Sequence, residues 1–223
     1  MVLNVGEMLA SAVNSLKAGK VYLIEKNTYV DKIVAHLARL NEDDRRMRFG
    51  TVIINERITH YVNDAIKVGD YVFAVFSESG EIVAMLHMAK QRNDEKAYEL
   101  GLSVDEEYRK NGYASALFSK TVTFAKTLGA KRLYTYCLGE NRAMQSLAKK
   151  NDLKVMLEHG DYTGELMLND RTPGQIVKDL VEFASTEQMM IFDRMSERYV
   201  STLLSQYQAF AKTAEAFRSV FTR

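Results

Sequence analysis

The run from Gly101 to Phe118, Gly-Leu-Ser-Val-Asp-Glu-Glu-Tyr-Arg-Lys-Asn-Gly-Tyr-Ala-Ser-Ala-Leu-Phe, places a strand, a polar loop with one glycine and a helix start in immediate succession. Arg109, Lys110, Asn111, Gly112, Tyr113, Ala114 and Ser115 occupy the loop and helix entry. Several backbone N–H groups and the positive end of the helix dipole can therefore converge on one anion, a phosphate above all. From its residues alone the same run also reads as an ordinary strand-to-helix turn. Just upstream, Glu99 stands in the otherwise apolar and aromatic strand Ala97-Tyr-Glu-Leu-Gly-Leu-Ser-Val104. A carboxylate in such a strand is poorly solvated, which suits a proton acceptor. It also fits the solvent-facing side of an alternating strand.

Other chemistries find less support. His36, His60, His87 and His159 are not spaced as metal ligands with one another or with the single cysteine, so no metal site is expected. His87 lies near Glu99 if their strands pair through the turn at 91–95, but a register change of one residue would move it to the other face. A hydrogen-bonded structural histidine is the expected reading. Cys137, in Arg132-Leu-Tyr-Thr-Tyr-Cys-Leu138, reads as a buried strand residue and not a nucleophile. The lysine-bearing, glycine-rich loop of nucleoside triphosphatases is absent.

The elements that must position these groups follow from periodicity. A first helix opens at Asn4, with Glu7 completing a capping box, and ends near Gly19. A strand follows at Val21–Ile24. Helical spacing runs from Val30 through Ile33, Val34, Leu37 and Leu40, and a second helix carries Ile58, Tyr61, Val62 and Ile66. Strands are expected at 71–76, 82–89 and 97–104, separated by Ser79-Gly80 and the polar stretch 91–95. The stripe Ala114, Leu117, Phe118, Val122, Ala125 and Leu128 defines the helix after the loop, with Gly129 as its stop. A strand at 132–138, a helix at 142–150 and strands at 154–158 and 165–168 complete the domain.

A chain of 223 residues holds one substantial core and an appendage, which sets the expected organisation as a domain over 1–170 and an extension over 171–223. Thirty basic against 29 acidic residues, a formal charge of +1, argue against nucleic acid or an anionic membrane as partner. No apolar run reaches the length of a membrane span and no signal core is evident, so the cytoplasm is the expected compartment.

The loop resembles the Arg/Gln-x-x-Gly-x-Gly/Ala acyl-CoA loop of the GNAT N-acetyltransferases, and the element order over roughly residues 20–170 is similar to theirs. Two further blocks carry the resemblance. His36-Leu-Ala-Arg-Leu-Asn-Glu-Asp-Asp-Arg-Arg-Met-Arg-Phe49 and Gly139-Glu-Asn-Arg-Ala-Met-Gln-Ser-Leu-Ala-Lys-Lys150 look like segments of bacterial GNAT domains related to the protein-lysine acetyltransferases. The resemblance implies an α+β fold: a mixed, mostly antiparallel sheet with helices on both faces, here with a C-terminal helical extension. It implies acetyl-CoA as cosubstrate and an amine, a protein lysine or a small amine, as acceptor.

On that resemblance, residues 109–115 cradle the pyrophosphate, the backbone of Leu102 and Val104 meets the pantetheine arm, and Asn141 lies near the arm or the thioester. Read alone, Asn141 is a helix N-cap. Glu99 aligns with the glutamate that serves the similar lysine acetyltransferases as general base. Where many family members carry a tyrosine as general acid, this chain has Ala148. Tyr134 and Tyr136 are the nearby substitutes, though strand packing accounts for them. The missing tyrosine also admits a non-catalytic acyl-CoA-binding regulator.

Beyond the domain, Thr172, Pro173 and Gln175 spell a helix start. Val200, Leu203, Tyr207, Phe210, Ala214, Phe217 and Phe221 then alternate spacings of three and four, the pattern of a bundle seam. Self-association through these helices is the expectation.

Overall fold

The computed structural model describes residues 19–169, 174 and 175. The expected helix between Asn4 and Gly19 and nearly all of the C-terminal extension lie outside the described residues.

Seven strands form one mixed sheet: β1 (Val21–Ile24), β2 (Tyr71–Phe76), β3 (Ile82–Lys90), β4 (Ala97–Val104), β5 (Arg132–Cys137), β6 (Lys154–Glu158) and β7 (Asp161–Met167). Their order is β1-β2-β3-β4-β5-β7-β6, and every neighbouring pair is antiparallel except β4 with β5. The helices are α1 (Lys26–Arg39), α2 (Glu42–Phe49), α3 (Asn55–His60), α4 (Tyr113–Thr127) and α5 (Arg142–Lys150).

Alternation along the strands sends apolar side chains to both faces. On one face Ile33 and Leu37 of α1 and Ile58 of α3 pack on Val72, Ala74 and Met85. On the other, Leu117, Phe118 and Phe124 of α4 and Leu147 of α5 pack on Phe73, Leu86, Leu100 and Leu133. β2 and β3 are thus covered on both sides, which is why they read as nearly continuous apolar runs.

The structure departs from the periodicity in three places. The first long helix breaks at Leu40, whose ψ of 132° is extended, and a separate helix, α2, begins at once. Asn41 caps it, its side chain accepting from the Asp44 N–H, and Gly50 closes it at φ 76°. The second helix widens after His60 into a π turn over Tyr61–Ala65, which keeps Tyr61 and Val62 directed inward. Finally, β7 starts at Asp161 rather than Glu165, because the hairpin turn is made by His159 and Gly160. Gly164 is a packing residue within it: an added Cβ would lie 3.1 Å from Leu153 and 3.3 Å from Thr135.

The parallel contact of β4 and β5 is short. Ala97 pairs with Arg132, Tyr98 with Leu133 and Glu99 with Tyr134, and the ladder ends there. The buried Thr135 hydroxyl then donates to the Leu100 carbonyl at 2.9 Å, occupying an acceptor that a continuing ladder would have used. Beyond it the strands splay. The Ala97 carbonyl accepts from Gln91 and the Asp105 N–H donates to Val83, both toward β3. Backbone groups alternate along a strand, so those of Leu102 and Val104 point to the β5 side, into the gap.

Candidate active site

The polar loop after β4 forms as its residues require. Glu106–Tyr108 make one 3₁₀ turn, Lys110 takes φ 65° and Gly112 takes φ 81° as the N-cap of α4. Two left-handed residues in close sequence swing the chain so that the first N–H groups of α4 face outward. No side chain caps them and no acidic residue stands in the first turn. A Cβ built on Gly112 would meet nothing within 4 Å, so the space before the helix is open. This is the geometry of an anion cradle. Asn111 donates to the Tyr108 carbonyl at 3.3 Å, which steadies the loop, and Arg109 pairs with Asp44 of α2 at 2.5 Å.

Helix α2 is the part of the site that periodicity did not resolve. It lies across the splay and touches both of its banks. Asp44 holds Arg109 beyond β4, while Arg46 pairs with Glu140 and the Met47 carbonyl accepts from Asn141 Nδ2 at 3.4 Å, both beyond β5. Asn141 also caps α5 through its Oδ1, which accepts from Met144 N at 3.0 Å. The capping reading of Asn141 is therefore present in the structure, joined to a strap contact. The available signal for α2 was Asn41 followed by Glu42, Asp43 and Asp44, a cap and an acidic first turn directly after Leu40.

On the α1–α3 face, the splay opens into a cleft of about 560 Å³. Glu99 and Gly101 of β4, Tyr136 and Cys137 of β5, Arg48 of α2, and Tyr61 and His87 line it. The register pairs His87 with Gly101 and Ala89 with Glu99, so His87 and Glu99 share this face. A hydrogen-bonded structural histidine is the reading expected from the sequence. The structure makes it a buried, fully engaged residue: Nδ1 lies 2.7 Å from the Tyr61 hydroxyl and Nε2 lies 3.1 Å from Asp70 Oδ2. Asp70 in turn accepts from the backbone N–H groups of Lys67 and Lys90 at 2.9 and 2.8 Å.

Burial and charge set the remaining protons. Burial, with the charge of Glu99 second, pushes the Tyr134 hydroxyl up to about 12, so at neutral pH it keeps its proton and is poorly matched to a departing thiolate whose thiol pKa is about 8.5. Tyr136 is largely exposed at the rim. Burial also raises the Cys137 thiol, in keeping with an inert strand residue. Among the described residues no group of three or more His, Cys, Asp or Glu is placed to hold a metal ion. None of their helices is long and apolar enough to cross a membrane.

A second buried polar cluster braces β4 from the side of α1. The fully buried His36 sets Nε2 2.8 Å from the Ser103 hydroxyl and Nδ1 2.9 Å from Asp105, which also receives Arg39 at 2.8 Å. Burial alone would raise the Asp105 carboxyl; His36 and Arg39 outweigh it and hold the group below its ordinary range. Asp70 behaves likewise, burial being outweighed by His87 and the two backbone N–H groups. Both folded-state values thus lie beneath an unfolded value of about 3.9, and the unfolded chain takes up protons first as pH falls. The stability these two carboxylates contribute is complete above about pH 5 and lost as pH drops through their lowered folded values. Urea midpoints measured between pH 7 and pH 3 should decline accordingly, and Asp105→Asn should flatten the decline while lowering stability at pH 7 by about 1–3 kcal/mol.

Comparison with known proteins adds to this geometry. The sequence profile of the acetyltransferase (GNAT) family matches residues 37–152, just over half of the 223. Among solved structures, the GNAT domain of S. lividans PAT superposes with a TM-score of 0.57 at 17% identity, over 66% of this chain and 89% of that one. The ribosomal-protein-alanine N-acetyltransferase of Brucella melitensis gives 0.54 at 15%, over 66% and 99%. A phosphinothricin acetyltransferase of Sinorhizobium meliloti, in complex with AcCoA, gives 0.53 at 14%, over 70% and 94%. At these identities the likeness is one of fold. No curated protein sequence matches significantly.

Proposed function

The chain belongs to the GNAT acetyltransferase family of acetyl-CoA-dependent N-acetyltransferases, and on that premise we propose that it acetylates a primary amine by direct attack, with Glu99 as general base. One observation carries the reading: Glu99 lines a cleft that opens at the end of the β4–β5 ladder, one turn of strand from the unpaired backbone of Leu102.

The residues present fit acetyl-CoA. The backbone of Leu102 and the Val104 N–H face the gap that an extended arm would enter, while the Val104 carbonyl accepts from Arg109 Nε at 3.4 Å, and the uncapped start of α4 with its open approach at Gly112 suits a pyrophosphate. Lys110, Asn111, Tyr113, Ala114 and Ser115 belong to that cradle in this proposal, and Arg109, ion-paired with Asp44, borders it. Asn141 borders the arm from the β5 side. Acetyl-CoA supplies an activated acyl group as its thioester.

An alkylamine with a pKa near 10.4 is almost wholly protonated at neutral pH and cannot attack a carbonyl in that form. The role of Glu99 is to take one proton from the ammonium and free the lone pair that forms the carbon–nitrogen bond, the second N–H proton passing to water as the tetrahedral adduct collapses. The Leu102 N–H, turned into the gap, is the donor nearest at hand for the carbonyl oxygen as it gains charge. The carbon–sulfur bond then breaks, and CoA leaves as its thiolate to be protonated by water. Ala148 and the high pKa of Tyr134 both support departure without a dedicated acid.

The resemblance of the 36–49 and 139–150 blocks to lysine acetyltransferases supports a lysine side chain as acceptor. Measuring CoA release from acetyl-CoA with lysine peptides, N-terminal peptides, polyamines and amino acids tests the assignment; release no faster than acetyl-CoA hydrolysis with every amine would overturn it. Self-association through the C-terminal segment is part of the proposal, carried by the apolar spacing from Val200 to Phe221. Light scattering at tens of micromolar should give a dimer or larger, and a monomer would overturn it.

A further inference from the structure

Arg48 differs from the other arginines around the site. Arg109 pairs with Asp44, Arg46 with Glu140, Arg39 with Asp105, and Arg45 is taken up by three backbone carbonyls and Asn55. Arg48 has no carboxylate within ion-pairing distance among the described residues. Its hydrogen bond there is Nη2 to the Tyr61 hydroxyl at 2.9 Å, and its Nε is buried without a partner. Yet it is held firmly. The guanidinium packs 4.9 Å from the centre of the Phe49 ring and 5.6 Å from that of Tyr61. Tyr61 is fixed by His87, and His87 by Asp70. The strand below makes room for it, since a Cβ on Gly101 would lie 2.5 Å from three guanidinium atoms.

A half-buried guanidinium without a counter-charge is costly, and its flat fork of donors matches a carboxylate in two parallel hydrogen bonds. Arg48 lines the same cleft as Glu99. Gly101, beneath Arg48, and Glu99 sit on one face of β4 two residues apart, roughly 7 Å along the strand. The cleft thus presents an anion at Glu99, joined by Asp161 at its lining, and a cation at Arg48.

Resting on the acetyl-transfer reading, we propose that Arg48 anchors a carboxylate on the acceptor, so that the preferred acceptors are primary amines carrying a carboxylate a few bonds from the nitrogen. Glu99 receives the amine while Arg48 holds the acid. Tyr61, through the chain to His87 and Asp70, is a positioning residue for Arg48. The carboxylate comes either from a free amino acid or from an acidic residue beside a lysine in a peptide.

The test uses matched pairs: free amino acids against their carboxamides, and lysine peptides with Asp or Glu beside the lysine against the same peptides with Asn or Gln. CoA release should favour the carboxylate member by about tenfold or more in kcat/KM, and the pair that shows it identifies the source. Arg48→Met should erase the preference by raising KM for that member alone, with acetyl-CoA affinity unchanged. Gly101→Ala, which keeps the charge but displaces the guanidinium, should act in the same direction, and Tyr61→Phe more weakly. Equal rates for both members of every pair, or an equal loss on both in Arg48→Met, overturn the anchor while leaving acetyl transfer intact. If no amine raises CoA release above hydrolysis, the acetyl-transfer reading fails and the anchor falls with it.

Discussion

Replacing Glu99 with glutamine is expected to lower turnover about 10²-fold or more while leaving acetyl-CoA affinity close to that of the unaltered chain. Glutamine keeps the shape of the side chain on β4 and removes only its capacity to accept a proton. Glu99 forms the last parallel pair, with Tyr134, through its backbone, so a change confined to its side chain disturbs neither the Thr135 contact nor the backbone of Leu102. The defect should shrink at high pH, where more of the amine is already neutral. Rates must be taken where chemistry limits, by single turnover if product release is slow. Turnover at the level of the unaltered chain at neutral pH would remove Glu99 from the mechanism, and a parallel loss of acetyl-CoA affinity would assign it to binding.

The second large effect is expected at Gly112. Valine there should weaken acetyl-CoA binding about tenfold or more, since one lost backbone-to-phosphate hydrogen bond to a charged group is worth about 1.5–3 kcal/mol. Two causes act together. The residue sits at φ 81°, which β-branched side chains avoid, and its Cβ would stand in the open space before α4. Asparagine separates them, because it tolerates the left-handed conformation yet still fills the space. Calorimetry with acetyl-CoA should show both variants impaired, asparagine through steric exclusion alone. If asparagine binds as the unaltered chain does, the pyrophosphate does not approach Gly112.

The two expectations differ in how far the linear sequence carried them. The proposed cradle is local: β4, Lys110, Gly112 and the stripe of α4 all fall between residues 97 and 128, and the φ of 81° at Gly112 is one that glycine adopts freely at a helix start. Glu99 was legible as an oddity in an apolar strand, but its neighbours were not. The sheet order places β5 beside β4 across an intervening helix, and the splay that exposes Leu102 depends on Thr135, thirty-five positions from the carbonyl it occupies.

Periodicity and turn residues by themselves determined the strands β1 to β6 nearly to their ends and the helices α1, α4 and α5, because local spacing and turn chemistry mark where each element runs. Tertiary structure alone decided what the cleft contains. Arg45, Arg46 and Arg48 are nearly adjacent in sequence, yet one supports a loop, one straps α2 to the far bank and one faces the cleft. Each residue along a helix rotates the side chain by about 100°, and only the packing of α2 across the splay chooses which of them meets a partner. Tyr61, Asp70 and His87 likewise come from a π turn, a loop and a strand. Their hydrogen bonds exist because the β2–β3 register brings those three elements to one end of the sheet, a long-range choice on which the separate segments are silent.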